Sequence, residues 1–159
     1  IVGASFVGRK VIELLRPFDF EVLVYDPYVD DATVAALGGD TLVVRKVGLD
    51  DLVRLSDVVS LHAPALLDTH HMIDRRRLGL MKEGATLINT ARGWLVDEAA
   101  LEEELVRGRL HAVIDTTEPE ILPPGSPLYD LPNVFLTPHI AGAMCGETRR
   151  MAEMAVDEI

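Results

Sequence analysis

The stretch IVGASFVGRKV, from Ile1 to Val11, holds the first evidence on the fold of this chain. Its glycines at positions 3 and 8 match the first and third glycines of a G-x-G-x-x-G turn, which joins a strand to a helix and can bind a pyrophosphate. The middle position holds Ser5 instead of glycine, and only two residues precede the first glycine. Short glycine patterns also occur where a turn merely lets a helix pack closely, so the remaining sequence must decide between these interpretations.

The composition indicates one globular domain. The chain has 159 residues, of which 48% are hydrophobic and 26% charged, which is typical of a folded domain with its own core. A single cysteine, Cys145, excludes an internal disulfide and a multi-cysteine metal site, and we predict no metal site. The single thiol and the lack of a segment resembling a signal peptide favour a cytoplasmic location.

The charge of the chain limits its partners. A formal net charge of −11 and a pI near 4.8 argue against nucleic acid and against an anionic membrane surface. The run Arg75-Arg76-Arg77 is predicted to be a solvated helix face within this acidic chain. No apolar run approaches the ~20 residues that a helix needs to cross a bilayer.

Short apolar runs alternate with helical patterns along the chain. The runs are rich in Val, Ile and Leu without polar alternation, which is typical of parallel strands buried on both faces. The predicted strands are Phe20–Tyr25, Thr41–Val44, Val58–Leu61, Ala85–Asn89, Ala112–Ile114 and Val134–Leu136. Strands that alternate with helices predict an α/β, Rossmann-type doubly wound parallel sheet with helices on both faces.

The helices are predicted from apolar stripes and capping residues. Asp97 is a suitable N-cap for a helix over 98–107, with Val96 and Leu101 placed for a hydrophobic staple and Gly108 as its stop. The first and last helices show apolar stripes at helical spacing. These stripes are Val7, Val11, Leu14 and Leu15, and Met151, Met154, Ala155 and Ile159.

Asp26 strengthens the nucleotide interpretation of the glycine turn. It comes at the end of the predicted strand Phe20–Tyr25, the next strand after the glycine turn. A carboxylate there can accept hydrogen bonds from the adenosine ribose hydroxyls and repels a 2′-phosphate. Taken alone, Asp26 would more simply be a turn residue before Pro27. Together with the glycines it predicts an NAD site rather than an NADP site.

Three ionisable residues follow three successive predicted strands: Arg92, Glu120 and His139. Ligands of open parallel sheets bind beyond the carboxyl ends of the strands, so these side chains should meet in one crevice. Arginine can hold a carboxylate in two parallel hydrogen bonds, and a histidine oriented by a carboxylate can exchange a proton near neutral pH. Each residue alone has a simpler explanation as a surface or turn residue. Their joint placement favours the reduction of a 2-oxo acid.

The chain resembles the coenzyme-binding domain of the D-isomer-specific 2-hydroxyacid dehydrogenases over essentially its whole length. Four motifs in a fixed order carry the resemblance: SDVVSLHAP (56–64), MKEGATLINTARGWLVDEAAL (81–101), IDTTEPE (114–120) and LPNVFLTPHIAG (131–142). The resemblance implies that Arg92 binds the substrate carboxylate, that His139 is the acid/base and that Glu120 is its partner. Glu120 is preferred to Glu118 because it lies five residues after Asp115, which is the spacing that the family shows.

The same resemblance implies a set of NAD-binding residues. Asp115 would contact the nicotinamide carboxamide, and His62 would line the cleft through its backbone without a catalytic role. The full set is Gly3, Ser5, Phe6, Val7, Gly8, Asp26, His62, Ala63, Pro64, Thr69, Thr90, Ala91, Arg92, Asp115, His139, Ala141 and Gly142. Ser5 departs from the family pattern, and so does Trp94, for which an ordinary packing role is expected.

The resemblance also bears on domain organisation and partners. Residues 1–159 are expected to be a dinucleotide-binding domain whose flanking substrate domain is absent at both ends, so the segment alone should turn over poorly. The expected partners are a small 2-oxo or 2-hydroxy acid and a second copy of the chain in a homodimer.

Three other functions fit parts of the pattern. A non-catalytic NAD-sensing scaffold, like the transcriptional co-repressors of this fold, is the main alternative. A formate dehydrogenase would not need the acidic Glu120 beside His139, because formate oxidation needs no proton transfer. A methyltransferase with the same glycine turn would leave the joint placement of Arg92, Glu120 and His139 unexplained.

Overall fold

The computed structural model of the chain describes residues 1–142 and 146–157. Its strands are β1 (Glu21–Val24), β2 (Val43–Lys46), β3 (Val58–Leu61), β4 (Thr86–Asn89), β5 (His111–Ile114) and β6 (Val134–Leu136). Its helices are α1 (Phe6–Leu15), α2 (Asp31–Ala36), α3 (Leu49–Leu55), α4 (Arg75–Leu80), α5 (Glu98–Val106) and α6 (Gly146–Asp157). The predicted alternation of strands and helices is confirmed.

The predicted strands occur in the predicted order, and β3 and β6 have the predicted bounds. β2 begins two residues later than predicted, at Val43 instead of Thr41. The reason is the turn that follows α2, in which the Leu42 N–H donates to the Gly38 carbonyl at 3.2 Å. Because this turn occupies the backbone of Leu42, the ladder of β2 starts only beyond it.

All the strand pairs are parallel, and Val2 joins them into one sheet. β1 pairs with β2, and β3 to β6 form a second run in the order β3-β4-β5-β6. Val2 forms parallel bridges to both Tyr25 and Leu61, so it lies between the end of β1 and β3. β1 and β2 therefore lie on one side of Val2, and β3 to β6 lie on the other. This is the reversal of strand order that defines a Rossmann-type sheet.

The core lies mainly under β3, β4 and β5 and against α3 to α5. Leu52, Leu61, Leu87 and Leu105 are all fully buried. Burying each such leucine side chain contributes about 1.5–3 kcal/mol relative to leaving it in water. A second cluster around Ile12 and Val24 packs α1 and α2 against β1 and β2.

The prediction that every strand is buried on both faces is wrong for β2, β3 and β6. In β2, Val44 is buried whereas Val43 is 59% exposed. In β3, Val59 and Leu61 are buried whereas Val58 is 52% exposed. In β6, Phe135 is 65% exposed. All three strands therefore place one set of side chains in the core, while the described part of the chain covers the other set only partly.

Helix α5 begins where its sequence predicts. The Asp97 carboxylate accepts a hydrogen bond from the Ala100 N–H at 3.1 Å, and Val96 and Leu101 both lie in the core. The helix ends at Val106, one residue before the predicted end, and Gly108 follows with a φ of +71°. The capping residues thus set both ends of this helix.

The arginine run on α4 is engaged with acidic residues of neighbouring helices. Arg75 contacts Glu103 at 2.6 Å, and both Arg76 and Arg77 contact Asp50. The two arginines hold the pKa of Asp50 well below its usual range. The run is therefore a surface ion-pair network that links α4 to α3 and α5. None of the described helices is long and apolar enough to cross a bilayer.

The predicted apolar stripe of the last helix falls largely outside the described residues. Helix α6 is present, and Ala155 on it is exposed. Ile159, Cys145 and the side chains of Met151 and Met154 lie outside the described part.

We predict that Asp97→Ala lowers the free energy of unfolding by about 1 kcal/mol, because the variant leaves the Ala100 N–H without its cap. Urea denaturation of the variant and the parent chain measures this difference. Asp97→Asn is the matched control: asparagine caps as well as aspartate, so this variant should stay close to the parent. An equal loss in both variants would contradict a capping role.

Candidate functional site

A cleft of about 960 Å³ opens where the chain reverses its strand order. The segments that follow Val2, β1, β3 and β4 line it. Ligands of open parallel sheets bind at this position, and the volume lies in the usual range for a ligand site, about 300–1,000 Å³.

The glycine turn closes one wall of the cleft and has no room for side chains. Gly3 has a φ of +93°, and a Cβ built there would lie 2.9 Å from the His62 carbonyl group. A Cβ on Gly8 would lie 2.0 Å from the Gly3 carbonyl oxygen. Gly3 therefore makes the turn, and Gly8 lets α1 pack directly on it, as the sequence predicts.

Ser5 adopts a conformation that any residue can adopt. Its φ is −80° and its ψ is −153°, so the backbone does not require glycine there. Ser5 is exposed, lines the cleft and precedes the first turn of α1. Among the described residues no side chain caps this helix, and its first turn contains no acidic residue. The free N–H groups and the helix dipole at this end favour an anionic ligand such as a pyrophosphate.

Asp26 lies at the end of β1, buried at the wall of the cleft. One of its oxygens accepts a hydrogen bond from the Ala4 N–H at 2.7 Å, and the other accepts one from the Tyr28 N–H at 2.9 Å. A carboxylate oxygen can accept more than one hydrogen bond, so Asp26 keeps capacity for ribose hydroxyls. Together, the glycine turn, the uncapped helix and this carboxylate fit the pyrophosphate and ribose of NAD.

The cleft contains part of the predicted NAD-binding set. Gly3, Ser5, Asp26, His62, Ala63, Pro64, Thr69, Ala91 and Arg92 line it. Burial lowers the pKa of His62, whose Nε2 lies 2.9 Å from Ser60 Oγ. Phe6 and Val7 are exposed on α1, and Gly8 lies behind the turn. Thr90, Asp115, His139, Ala141 and Gly142 lie beyond the ends of β4, β5 and β6 and do not line the cleft.

Sequence reasoning missed several residues that line the cleft. Arg9 is one of them, and its Nε donates to the Ala4 carbonyl at 2.7 Å. The signal was available, because Arg9 lies one helical turn after Ser5 and so shares its face. Tyr28, Asp68 and Met72 also line the cleft, but no spacing rule in the sequence indicates them.

His139 and Glu120 meet beyond the ends of β6 and β5. Nδ1 of His139 contacts Oε1 of Glu120, and both side chains are exposed. His139 has a φ of +54°, an uncommon conformation for a residue with a side chain. The contact engages one ring nitrogen of His139 and leaves Nε2 as the nitrogen that can face a ligand.

Asp115 holds the turn around His139. This buried carboxylate accepts hydrogen bonds from Thr137 Oγ1 at 2.5 Å and from the N–H groups of Ile140 and Ala141, both at 2.9 Å. Burial raises the pKa of Asp115, but these hydrogen bonds outweigh it and hold the pKa below its usual value. The residues before and after His139 are thereby tied to the end of β5.

Arg92 follows β4 and reaches the cleft, where its Nη1 donates to the Ala91 carbonyl at 2.6 Å. Among the described residues, it makes no ion pair with Glu120 and no hydrogen bond with His139. The next residue, Gly93, packs on the loop that leads to Glu120: a Cβ on Gly93 would lie 2.2 Å from the Thr117 carbonyl carbon. The structure thus brings the two loops into direct backbone contact.

Glu118 points away from His139. Its N–H donates to Glu98 Oε2 at 2.7 Å, and its carboxylate faces His71 instead. Burial raises the pKa of Glu98. Trp94 packs partly against the core, and its Nε1–H donates to the Leu66 carbonyl at 2.8 Å.

Comparison with known proteins places these features in a family context. Residues 1–141 match the family described as D-isomer specific 2-hydroxyacid dehydrogenase, NAD binding domain. The chain is 40% identical over 158 residues to a glyoxylate reductase of Thermofilum pendens, a match that covers 98% of this chain and 45% of that protein. It is 37% identical over 161 residues to a D-3-phosphoglycerate dehydrogenase of Mycobacterium tuberculosis, covering 99% of this chain and 29% of that protein.

Solved structures agree in fold. A crystal structure of a protein from Thermus thermophilus superposes with a TM-score of 0.84 at 43% identity, covering 98% of this chain and 47% of that one. The D-lactate dehydrogenase of Aquifex aeolicus, solved with NAD and lactic acid, gives a TM-score of 0.82 at 34% identity, with 98% and 50% covered. The chain spans about half or less of the length of these relatives.

We predict that Asp115→Asn lowers the free energy of unfolding by about 1–3 kcal/mol at pH 7, because charged hydrogen bonds around a buried group are lost. The folded pKa of Asp115 lies below the unfolded value of about 3.9, so its stabilisation is complete above that pH and is lost as the pH falls through the folded pKa. Urea denaturation of both chains between pH 7 and pH 3 measures this. A difference that stays constant with pH would contradict the electrostatic account.

Proposed function

The chain belongs to the NAD-binding domains of the D-isomer specific 2-hydroxyacid dehydrogenases. From this premise we propose that it is the coenzyme-binding part of an oxidoreductase that interconverts a D-2-hydroxy acid and a 2-oxo acid. NAD(H) would bind in the cleft at the reversal of strand order. The observation that carries the proposal is the contact between His139 and Glu120 beyond the ends of two neighbouring strands. Histidine paired with a carboxylate is a common arrangement for proton transfer.

When bound in the cleft, NAD(H) would supply or accept the hydride that interconverts a 2-oxo acid and a 2-hydroxy acid. His139 would give a proton to the carbonyl oxygen from Nε2, since Nδ1 faces Glu120. Glu120 would keep the ring in one orientation through its contact with Nδ1. In the reverse direction, His139 would take up the proton that the hydroxyl group of the 2-hydroxy acid loses.

Arg92 is the proposed residue for the substrate carboxylate. It lies at the cleft beside Ala91, and its guanidinium can make two parallel hydrogen bonds to a carboxylate. The contact of Gly93 with Thr117 supports a fixed spacing between the loop of Arg92 and the loop of Glu120. Asp115 would act on His139 as a positioning residue, since its hydrogen bonds hold the flanking backbone.

The proposed contacts with NAD follow from the described walls of the cleft. The turn of Gly3 and Ser5 and the N-terminus of α1 would face the pyrophosphate, and Asp26 would face the adenosine ribose. Ala63, Pro64 and Thr69 would line the path between them and the nicotinamide end, near Thr90 and Ala91. The other proposed contacts are Phe6, Val7, Gly8, His62, Asp115, His139, Ala141 and Gly142.

The domain arrangement, the partner and the location are also proposals. The relatives are longer than this chain, which supports a second domain that completes the substrate pocket. A homodimer and a cytoplasmic location are proposed on the family resemblance.

We predict that the complete natural polypeptide containing residues 1–159 oxidises NADH in the presence of a 2-oxo acid. The panel is glyoxylate, hydroxypyruvate, pyruvate and phosphohydroxypyruvate, and the readout is the loss of NADH absorbance. His139→Gln should lower kcat by about 10²–10⁴-fold, because the proton donor is lost. His111→Gln is the matched control, since this exposed histidine lies at the opposite end of its strand. Binding of NADH without reduction of any acid would favour the NAD-sensing scaffold.

The coenzyme preference gives a separate prediction. The parent chain should bind NADH more tightly than NADPH, because the Asp26 carboxylate repels a 2′-phosphate. Asp26→Asn keeps an acceptor for a backbone N–H and removes the charge. It should therefore reduce the ratio of the NADPH and NADH dissociation constants by about tenfold, or 1.4 kcal/mol. Titration of both chains with each coenzyme, followed by protein fluorescence, measures this. An unchanged ratio would contradict the role of Asp26.

A further inference from the structure

Two adjacent histidines form a turn at the edge of the cleft. His70 and His71 follow the residues 67–69, and their rings stack with centroids 3.8 Å apart. The ring of His70 also packs against Trp94, with centroids 4.0 Å apart. The His71 N–H donates to the Trp94 carbonyl at 2.9 Å, and Trp94 Nε1–H donates to the Leu66 carbonyl at 2.8 Å. The position of this turn is therefore fixed by the loop after Arg92.

The carboxylate of Glu118 faces this turn from another part of the chain. Its Oε2 lies 3.6 Å from His71 Nε2, which is too far for a hydrogen bond. This oxygen has no contact with solvent, and no described residue donates a hydrogen bond to it. A carboxylate oxygen in that state is costly unless a positive group neutralises it.

The donor atoms of these three residues have the spacing of metal ligands. One ligand atom from each of His70, His71 and Glu118 lies within 4.8 Å of the other two. Zinc bonds of about 2.0–2.2 Å place two ligands of a tetrahedral ion about 3.3–3.6 Å apart. The separation of His71 Nε2 and Glu118 Oε2 is at the upper end of that range. His70 is exposed, so its ring has room to turn the small amount needed for its nitrogen to join the other two ligands.

Although the sequence alone predicts no metal site, we propose that His70, His71 and Glu118 form a binding site for a divalent cation of the zinc class. Two imidazoles and one carboxylate suit zinc, whereas magnesium and calcium prefer oxygen ligands. The cation would neutralise Glu118 Oε2, and water would occupy the remaining position. This inference does not rest on the proposed function.

A simple ion pair is the competing explanation. A proton on His71 Nε2 and a small closure of the gap would satisfy Glu118 without a metal. That pair needs no third group. The metal site differs because it also uses His70, which has a ring nitrogen within 4.8 Å of the ligand atoms of His71 and Glu118.

A bound cation would connect two segments that border the cleft. Thr69 and Met72, on either side of the two histidines, line the cleft. Glu118 precedes Glu120 by two residues on the loop that contacts His139. Occupancy of the site would therefore tie the cleft wall to this loop.

Calorimetric titration of the chain with Zn²⁺ alone tests the proposal. We expect one Zn²⁺ per chain, with at least about tenfold weaker binding in both His70→Ala and Glu118→Gln. Thermal unfolding without metal checks that these variants fold, and Glu118→Gln should be as stable as the parent because it removes an unneutralised charge. Added Zn²⁺ should raise the Tm of the parent and not that of Glu118→Gln. Co²⁺ substituted at the site should show the intense visible bands of a tetrahedral ion.

Three control variants locate the binding. His111→Gln, His139→Gln and Cys145→Ser should all leave the affinity for Zn²⁺ unchanged. Loss of binding in Cys145→Ser or His139→Gln would place the zinc elsewhere and overturn the proposal. Absence of binding in the parent chain, or full binding in His70→Ala, would overturn it in favour of the ion pair.

Discussion

The hydrogen bonds of Val2 are the constraint on which the rest of the structure depends. The Val2 N–H donates to the Ser60 carbonyl at 2.9 Å, and the His62 N–H donates back to the Val2 carbonyl at 2.7 Å. On the other side, the Gly3 N–H donates to the Tyr25 carbonyl at 2.8 Å. These bonds join the two runs of strands into one sheet. They also place Gly3 at the reversal of strand order, so the same contacts make the sheet continuous and position the glycine turn at the cleft.

Sequence reasoning succeeded where local chemistry decides the structure. Asp97 and Gly108 set the ends of a helix through contacts within a few residues, and the apolar run at 58–61 forms a strand with its predicted bounds. The predictions were less accurate where a neighbouring segment determines the bounds or the exposure of a strand. The start of β2 depends on the turn after α2, and the exposure of Phe135 depends on what covers the last strand.

The site shows the same division. The glycine turn and the residues after three strands can be predicted from the sequence, because the carboxyl ends of parallel strands lie at the same edge of the sheet. Contacts between residues that are far apart in the sequence cannot be predicted in this way. The bond from Ala4 to Asp26 and the approach of Glu118 to His71 join residues 22 and 47 positions apart, and no periodicity connects them. Glu118 and Glu120 illustrate the difference: two carboxylates separated by one proline face different histidines.

The close contact of Gly93 with the Thr117 backbone has a mechanical consequence. Since a single added carbon would lie 2.2 Å from the Thr117 carbonyl carbon, the two main chains touch with no side chain between them to deform. Side chains absorb displacement by changing rotamer, whereas a peptide group pressed on another can only push it. The loop of Arg92 and the loop of Glu120 therefore cannot move closer together. A displacement of one main chain toward the other is passed on directly, with no side chain to absorb it.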